Sequence, residues 1–192
     1  MGPLMIKRRI VIIVLTPLAL ARPMSANAQQ GATVGGVLAA TSIGSKTEAS
    51  VAGAVGYRMN RSLGFGLELT AIPTLKPQGG TGGQATVFTA NVRIELPAVT
   101  ARLIPFAIGG GGVANIKETF EVQPAVPTGI PVVIPSQTVT RSSTDLALTA
   151  GGGVSLLVAA HLSIDADLRY LRLIADRDRN VGRFGLGVSY RF

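Results

Sequence analysis

The chain has no cysteine, no tryptophan and a single histidine. Without cysteine there is no disulfide framework, no lipid-modified N-terminal cysteine, no thiolate metal site and no cysteine nucleophile. Imidazole chemistry is confined to His161. The glycine runs at 109–112 and 151–153 are followed by no Lys-Ser or Lys-Thr pair, which removes the phosphate-loop reading. Strand glycines of this kind mark bends or close approaches, and the two runs are expected side by side at similar height, leaving room inside for a long arginine.

Charge excludes a further class. The formal net charge is +8, but Lys7, Arg8, Arg9 and Arg22 all lie in the N-terminal stretch; the rest of the chain carries fourteen basic and ten acidic residues, a net of +4. These bases are scattered, with no basic stripe and no interleaved aromatic platform, so nothing calls for a nucleic acid. No cofactor-binding motif is present.

The N-terminal stretch combines the three basic residues at 7–9, an apolar run at 10–21 and the small-x-small sequence Ala26-Asn27-Ala28. That is the three-part pattern of a cleaved secretory signal. A spanning helix needs about 20 apolar residues, whereas this run is broken by Pro17 and ended by Arg22 and Pro23. The expected organisation is a signal peptide over 1–28 and one domain over 29–192.

After that stretch the apolar residues recur with a period of two. In the last nine residues, Phe184-Gly-Leu-Gly-Val-Ser-Tyr-Arg-Phe192, one face carries Phe184, Leu186, Val188, Tyr190 and Phe192 and the other carries glycines, Ser189 and Arg191. An apolar outside and a polar inside suit a wall that stands in lipid. Eight such strands are expected, near 31–41, 47–58, 63–72, 85–96, 102–116, 141–157, 162–173 and the C-terminus, joined by turns and loops that alternate in length. Only helices and closed barrels satisfy their backbone in lipid, so the strands must close.

Taking each strand's apolar parity as the lipid face places Tyr57, Phe65, Phe88, Phe106, Tyr170, Phe184, Tyr190 and Phe192 outside. Tyr57, Phe106, Tyr190 and Phe192 then form a belt at one end, and Phe88, Tyr170 and Phe184 a belt at the other. The same parity turns Arg58, Arg93, Arg169, Arg183 and Arg191 inward, together with Glu68, Glu95, Asp145, Asp165 and Asp167. Five charges of each sign in so narrow a lumen predict a plug of ion pairs, with Arg191 and Asp165 as one pair.

These features resemble the OmpA/OmpX-type eight-stranded barrel domain of bacterial outer membranes. The similarity rests on Pro105-Phe-Ala-Ile-Gly-Gly-Gly-Gly-Val-Ala-Asn-Ile116, on 151–170 and on the terminal strand. The resemblance implies an all-β, antiparallel up-and-down transmembrane barrel in the cell outer membrane. It implies outer-membrane lipid and lipopolysaccharide as surroundings. It also implies that the terminal aromatic and its alternating neighbours, Val188, Tyr190 and Phe192, are the signal read by the barrel-assembly machinery. The peptidoglycan-binding domain of OmpA proper is not expected, and cell-wall tethering is not carried over.

The expected role is non-enzymatic: a structural or surface-binding barrel with a plugged interior and no cofactor, metal or catalytic set. Three alternatives make different predictions. A narrow channel would have a water-filled lumen. A lipid A-modifying enzyme would use His161, Ser163 and Asp165, because His161-Leu-Ser163 resembles the His-x-Ser of lipid A deacylases. A soluble ligand-carrying barrel would have an uncharged interior. Asp165 and Asp167 could hold a hard cation, but Arg169 on the same face favours a salt-bridge network. Asp176-Arg-Asp-Arg179 is expected as a solvated loop tip whose arginines could reach lipopolysaccharide phosphates. The uncharged, proline-bearing segment 122–137, within the connection 117–140, either folds over the barrel mouth or binds a surface ligand.

Removal of the signal would leave Gln29 at the N-terminus. N-terminal sequencing of protein recovered from membranes is expected to begin there, and a chain still carrying residues 1–28 would make that stretch an anchor.

Overall fold

The computed structural model describes residues 30–44, 46–74, 82–100, 102–122, 137–174 and 179–192. The candidate signal peptide, most of the proline-bearing segment and three residues of the charged tip lie outside them. Eight strands are formed: β1 (Gly31–Ile43), β2 (Lys46–Arg58), β3 (Leu63–Ile72), β4 (Gly82–Glu95), β5 (Leu103–Val122), β6 (Gln137–Leu157), β7 (Leu162–Ile174) and β8 (Arg179–Arg191). Each pairs antiparallel with its sequence neighbour, and β1 pairs with β8, closing an up-and-down barrel with no open side. Closure follows from the two-residue period, because every backbone donor must find a partner across a strand boundary when the outer face is greasy.

Short turns gather at one end. They are closed by backbone bonds such as Met59 N to Leu63 O (2.9 Å), Val99 N to Leu103 O (3.0 Å) and Val158 N to Leu162 O (2.9 Å). At the other end β3–β4 and β5–β6 have the longest connections of the barrel, β7–β8 is joined by four residues, and in the first Ile43 pairs with Lys46 and leaves a two-residue hairpin loop. Gly44 takes φ +63° there, a conformation that tight hairpins demand and L side chains rarely adopt.

The outer wall is apolar. Leu38, Val55, Leu69, Leu148, Leu168 and Leu186 all stand exposed on it, an amount of bare hydrophobic surface that only lipid can cover. Seven of the eight aromatic side chains expected outside are exposed. Phe106 is the correction: it is buried at 4 % exposure. It lies across from Glu95, with the Arg93 guanidinium 3.7 Å from its ring centroid. Apolar parity misleads on β5 because that strand's lumen-facing row is also apolar, running from Phe106 and Ile108 to Ala114 and Ile116, while its lipid-facing row is diluted by Gly109 and Gly111. The belt at the short-turn end therefore rests on Tyr57, Tyr190 and Phe192.

The glycine runs also differ from expectation in register. Gly110, Gly111 and Gly112 face Thr149, Leu148 and Ala147, while Gly151, Gly152 and Gly153 face Ile108, Ala107 and Phe106. The two runs are thus staggered along the β5–β6 pair instead of level. Their effect on the lumen is direct: a Cβ at Gly151 would crowd Arg169, and one at Gly153 would meet the Phe106 ring at 2.8 Å.

Alternation gives an internal control. A Cβ on Gly112 would run into the backbone of Phe88 and Thr89, whereas one on Gly111 meets Leu148 and Ala147 at ordinary contact distances. Gly112→Ala is expected to cost about 1–3 kcal/mol, and Gly111→Ala almost nothing. The urea midpoints of the two refolded variants check this.

Candidate functional site: the lumen and its charged layers

Arginines and carboxylates reach the lumen because they share parity with the small residues of their strands. On β7 one row reads Ser163, Asp165, Asp167, Arg169, Leu171, Leu173; on β8 it reads Val181, Arg183, Gly185, Gly187, Ser189, Arg191. Read from the short-turn end to the other, the contents of the lumen fall into distinct layers.

In the middle lies a tetrad. Arg169 Nη1 donates to Glu68 Oε2 (2.8 Å) and Arg169 Nη2 to Asp167 Oδ2 (2.7 Å); Arg183 Nη1 donates to Glu68 Oε1 (2.6 Å), and Arg183 Nη2 lies 3.5 Å from Asp167 Oδ2. Two cations and two anions balance. Arg183 also donates to the Thr70 hydroxyl at 3.1 Å, and Thr70 donates to Glu68 at 3.2 Å. The four charged side chains are all under a tenth exposed.

Towards the longer connections the lumen turns apolar. Ile72, Ala85, Val87, Ala114, Ile116, Ala147, Leu173 and Val181 form a buried cluster, with Ile43 and Leu171 packed against it. Near this end Arg179 pairs with Glu118 at 2.6 Å. Neither the cluster nor this pair was expected. The cluster lies on the same rows as the charges, so it was legible as the continuation Leu171, Leu173 beyond Arg169. Arg179 was expected in a solvated tip and instead begins β8.

Towards the short turns lies a vestibule. Glu95 takes both Arg58 and Arg93, the latter with Nε at 3.4 Å. Asp165 lies 3.6 Å from Arg93 Nη2 and accepts from the hydroxyls of Ser155, Ser163 and Ser189. The expected Arg191–Asp165 pair is not formed. Arg191 stands across from Thr33 on β1, whereas Asp165 stands across from Gly187 on β8. That places Arg191 four positions along β8 from the residue facing Asp165, and Arg93 reaches the carboxylate across the lumen first. A cavity of about 140 Å³ opens here, lined by Arg58, Arg93, Asp165 and Arg191 among others. A smaller void of about 30 Å³ lies on the far side of the tetrad; both are lined by Glu68 and Arg169.

All ten charged residues expected inside are turned towards the lumen. Eight are joined in the tetrad and the vestibule. Asp145 is buried beside the apolar cluster, and among the described residues neither it nor Arg191 enters an ion pair. Asp165 and Asp167 serve separate clusters, so they do not form a cation site together. His161 lies at the exposed short-turn end, where its Nδ1 donates to the Arg191 carbonyl at 2.9 Å, and Ser163 Oγ is bonded to Ser189 Oγ at 2.9 Å. No contact joins His161 to Ser163 among the described residues.

A family model described as the outer membrane protein beta-barrel domain matches residues 11–192. The chain belongs to that family. It is an outer-membrane β-barrel, and in barrels of this kind the short turns lie on the periplasmic side and the longer connections outside. Neisserial surface protein A is 17 % identical, with a TM-score of 0.61 over 88 % of this chain and 100 % of that one. Ail, the attachment invasion locus protein of Yersinia pestis, is 19 % identical in its complex with the heparin analogue sucrose octasulfate, with a TM-score of 0.51 over 85 % and 98 % of the two chains. The N-terminal barrel of Pseudomonas aeruginosa OprF is 14 % identical, with a TM-score of 0.51 over 85 % and 100 %. At these identities the likeness is one of fold. No curated protein matches the chain.

The pairing pattern orders the variants. Removing one partner of a buried ion pair costs about 3–5 kcal/mol, so Arg183→Leu, which strips Glu68 and Asp167 of one of their two cations, should lower stability by that order. Arg93→Leu should cost more than Arg191→Leu, because Arg93 serves two carboxylates. Heat-modifiable gel migration of the three refolded variants measures the order, and Arg191→Leu as the most damaging would contradict it.

Proposed function

We propose that this outer-membrane barrel is neither a channel nor an enzyme, and that it presents the β5–β6 ribbon at the cell surface for contact with an extended polypeptide. The observation that carries this reading is strand length. β5 has 20 residues and β6 has 21, against 10 to 14 in the other strands. A membrane strand needs about 9–11. The surplus of roughly ten residues, at about 3.3 Å each, projects on the order of 30 Å beyond the wall.

The ribbon is not covered on both sides. β6 pairs with β5 from Gln137 but with β7 only from Leu146, so residues 137–145 keep one edge unpaired among the described residues. Exposed edges are usually blunted by charge or proline. Before Asp145 this one carries a single charged side chain, Arg141, and no proline. An edge of this kind accepts an added strand through its backbone donors and acceptors.

The layered lumen supports the non-conducting part of the reading, since an apolar cluster and a balanced tetrad stand in series along it. The engagement of His161 Nδ1 by the Arg191 carbonyl, and of the Ser163 hydroxyl by Ser189 and Asp165, supports the non-enzymatic part. Val188, Tyr190 and Phe192 project from the lipid face of β8, the display that recognition by the assembly machinery would require. The reading also takes residues 1–28 as the export signal.

Two measurements test the proposal. The purified barrel in planar bilayers is expected to be silent, and reproducible conductance steps would make it a small pore. Cells displaying the wild-type barrel should retain immobilised strand-forming peptides or matrix proteins. The double variant Thr140→Lys, Ser142→Lys, which charges the free edge, should fold normally and lose that retention. Equal retention by both would remove the edge from the account.

A further inference from the structure

Charge balance differs between the two ends of the lumen. The tetrad is neutral, two against two. The periplasmic vestibule holds three cations, Arg58, Arg93 and Arg191, against two anions, Glu95 and Asp165. Glu95 is shared by Arg58 and Arg93, and Asp165 is already occupied by Arg93 and three hydroxyls. Arg191 is left over. Its Nε is shielded from solvent and has no hydrogen-bond partner, and its side chain lines the 140 Å³ cavity.

A guanidinium held in a protein wall without a partner is a standing cost, and hydrogen bonds to charged groups are worth more than neutral ones. The cavity supplies the room. About 150 Å³ is enough to admit a six-carbon ring, so this space suits a small ion and not a polymer. Its charged lining sums to four guanidinium groups against three carboxylates. The three carboxylates are engaged, Glu68 and Asp167 by the tetrad and Asp165 as described, which leaves the field in the cavity positive. The Thr33 hydroxyl stands on the same wall, while those of Ser163 and Ser189 are engaged with Asp165 and with each other. A further small cavity, beside His161 and Tyr190 at the short turn, is also lined by Arg191, Ser163 and Ser189.

We infer that the periplasmic vestibule is a binding site for a small oxyanion, a phosphate or a short carboxylate, held by the Arg191 guanidinium with Arg58 at its flank. The ion completes the charge balance of the vestibule as Glu68 and Asp167 complete that of the tetrad. The same phosphate chemistry could come from a free ion or from a phospholipid headgroup at the inner leaflet, and the test separates the two.

The test uses the full barrel, labelled with nitrogen-15 and folded in phosphate-free detergent micelles. The Arg191 Nε–H resonance is followed while inorganic phosphate is added, with chloride at matched ionic strength as the control. Saturable movement with phosphate and none with chloride is the expected result. Arg191→Gln should weaken phosphate binding about tenfold, the loss of one charge-assisted hydrogen bond. Arg61→Gln, on the exposed turn, should leave it unchanged. If Arg191→Gln does not fold, the wild-type titration decides alone. In bilayers of zwitterionic phospholipid, a resonance already shifted before phosphate is added identifies the headgroup as the source; an unshifted one that then moves identifies the free ion. A resonance that stays put in micelles and bilayers alike, or that moves equally with chloride, overturns the proposal.

Discussion

Glu68, Asp167, Arg169 and Arg183 meet near the middle of a lumen barely wide enough for side chains, and the rest of the interior is arranged around their mutual satisfaction. A buried ion pair gains little over an apolar packing, but a buried charge without its partner is expensive. Once β7 commits Asp167 and Arg169 to the lumen, β3 must answer with Glu68 from a strand distant in sequence and β8 with Arg183 from the next strand. The glycines follow from the same need. Gly151 lies across from Arg169, and Gly185 across from Asp167. A side chain at either site would take the space that the tetrad occupies.

The fold was legible because a two-residue period is a strong signal when one face must be apolar over many strands. Eight strands and their order follow from it. The extent of β5 and β6 was not legible: Lys117, Glu118 and Glu121 read as the start of a loop, yet they continue a ladder that runs to Val122. Polar composition marks the end of the lipid-covered wall, and a strand does not have to stop there. Inward facing of the ten charged residues was legible for the same periodic reason, whereas partner choice was not. Arg191 and Asp165 belong to adjacent strands, but register and side-chain reach decide contacts, and a lone sequence carries neither. Arg93 takes Asp165 from across the barrel.

Phe106 shows how the period can mislead. Parity assigns a face only if the two faces differ in polarity. On β5 the lumen row meets the buried apolar cluster at one end and the Arg93 guanidinium at the other, and both accept apolar neighbours. The aromatic ring is therefore at home inside, and Gly153 on β6 clears the space it fills.

The order of the layers matters as much as their contents. Water approaching from the outside meets the Arg179–Glu118 pair and then the apolar cluster, beside which Asp145 is buried. Water approaching from the periplasm reaches the vestibule directly and stops at the tetrad. The unmatched cation, Arg191, stands on the side that this water reaches. The interior is asymmetric: the outer half is dry and holds one carboxylate, Asp145, outside any ion pair among the described residues, while the inner half keeps one unpaired guanidinium within reach of the compartment it faces.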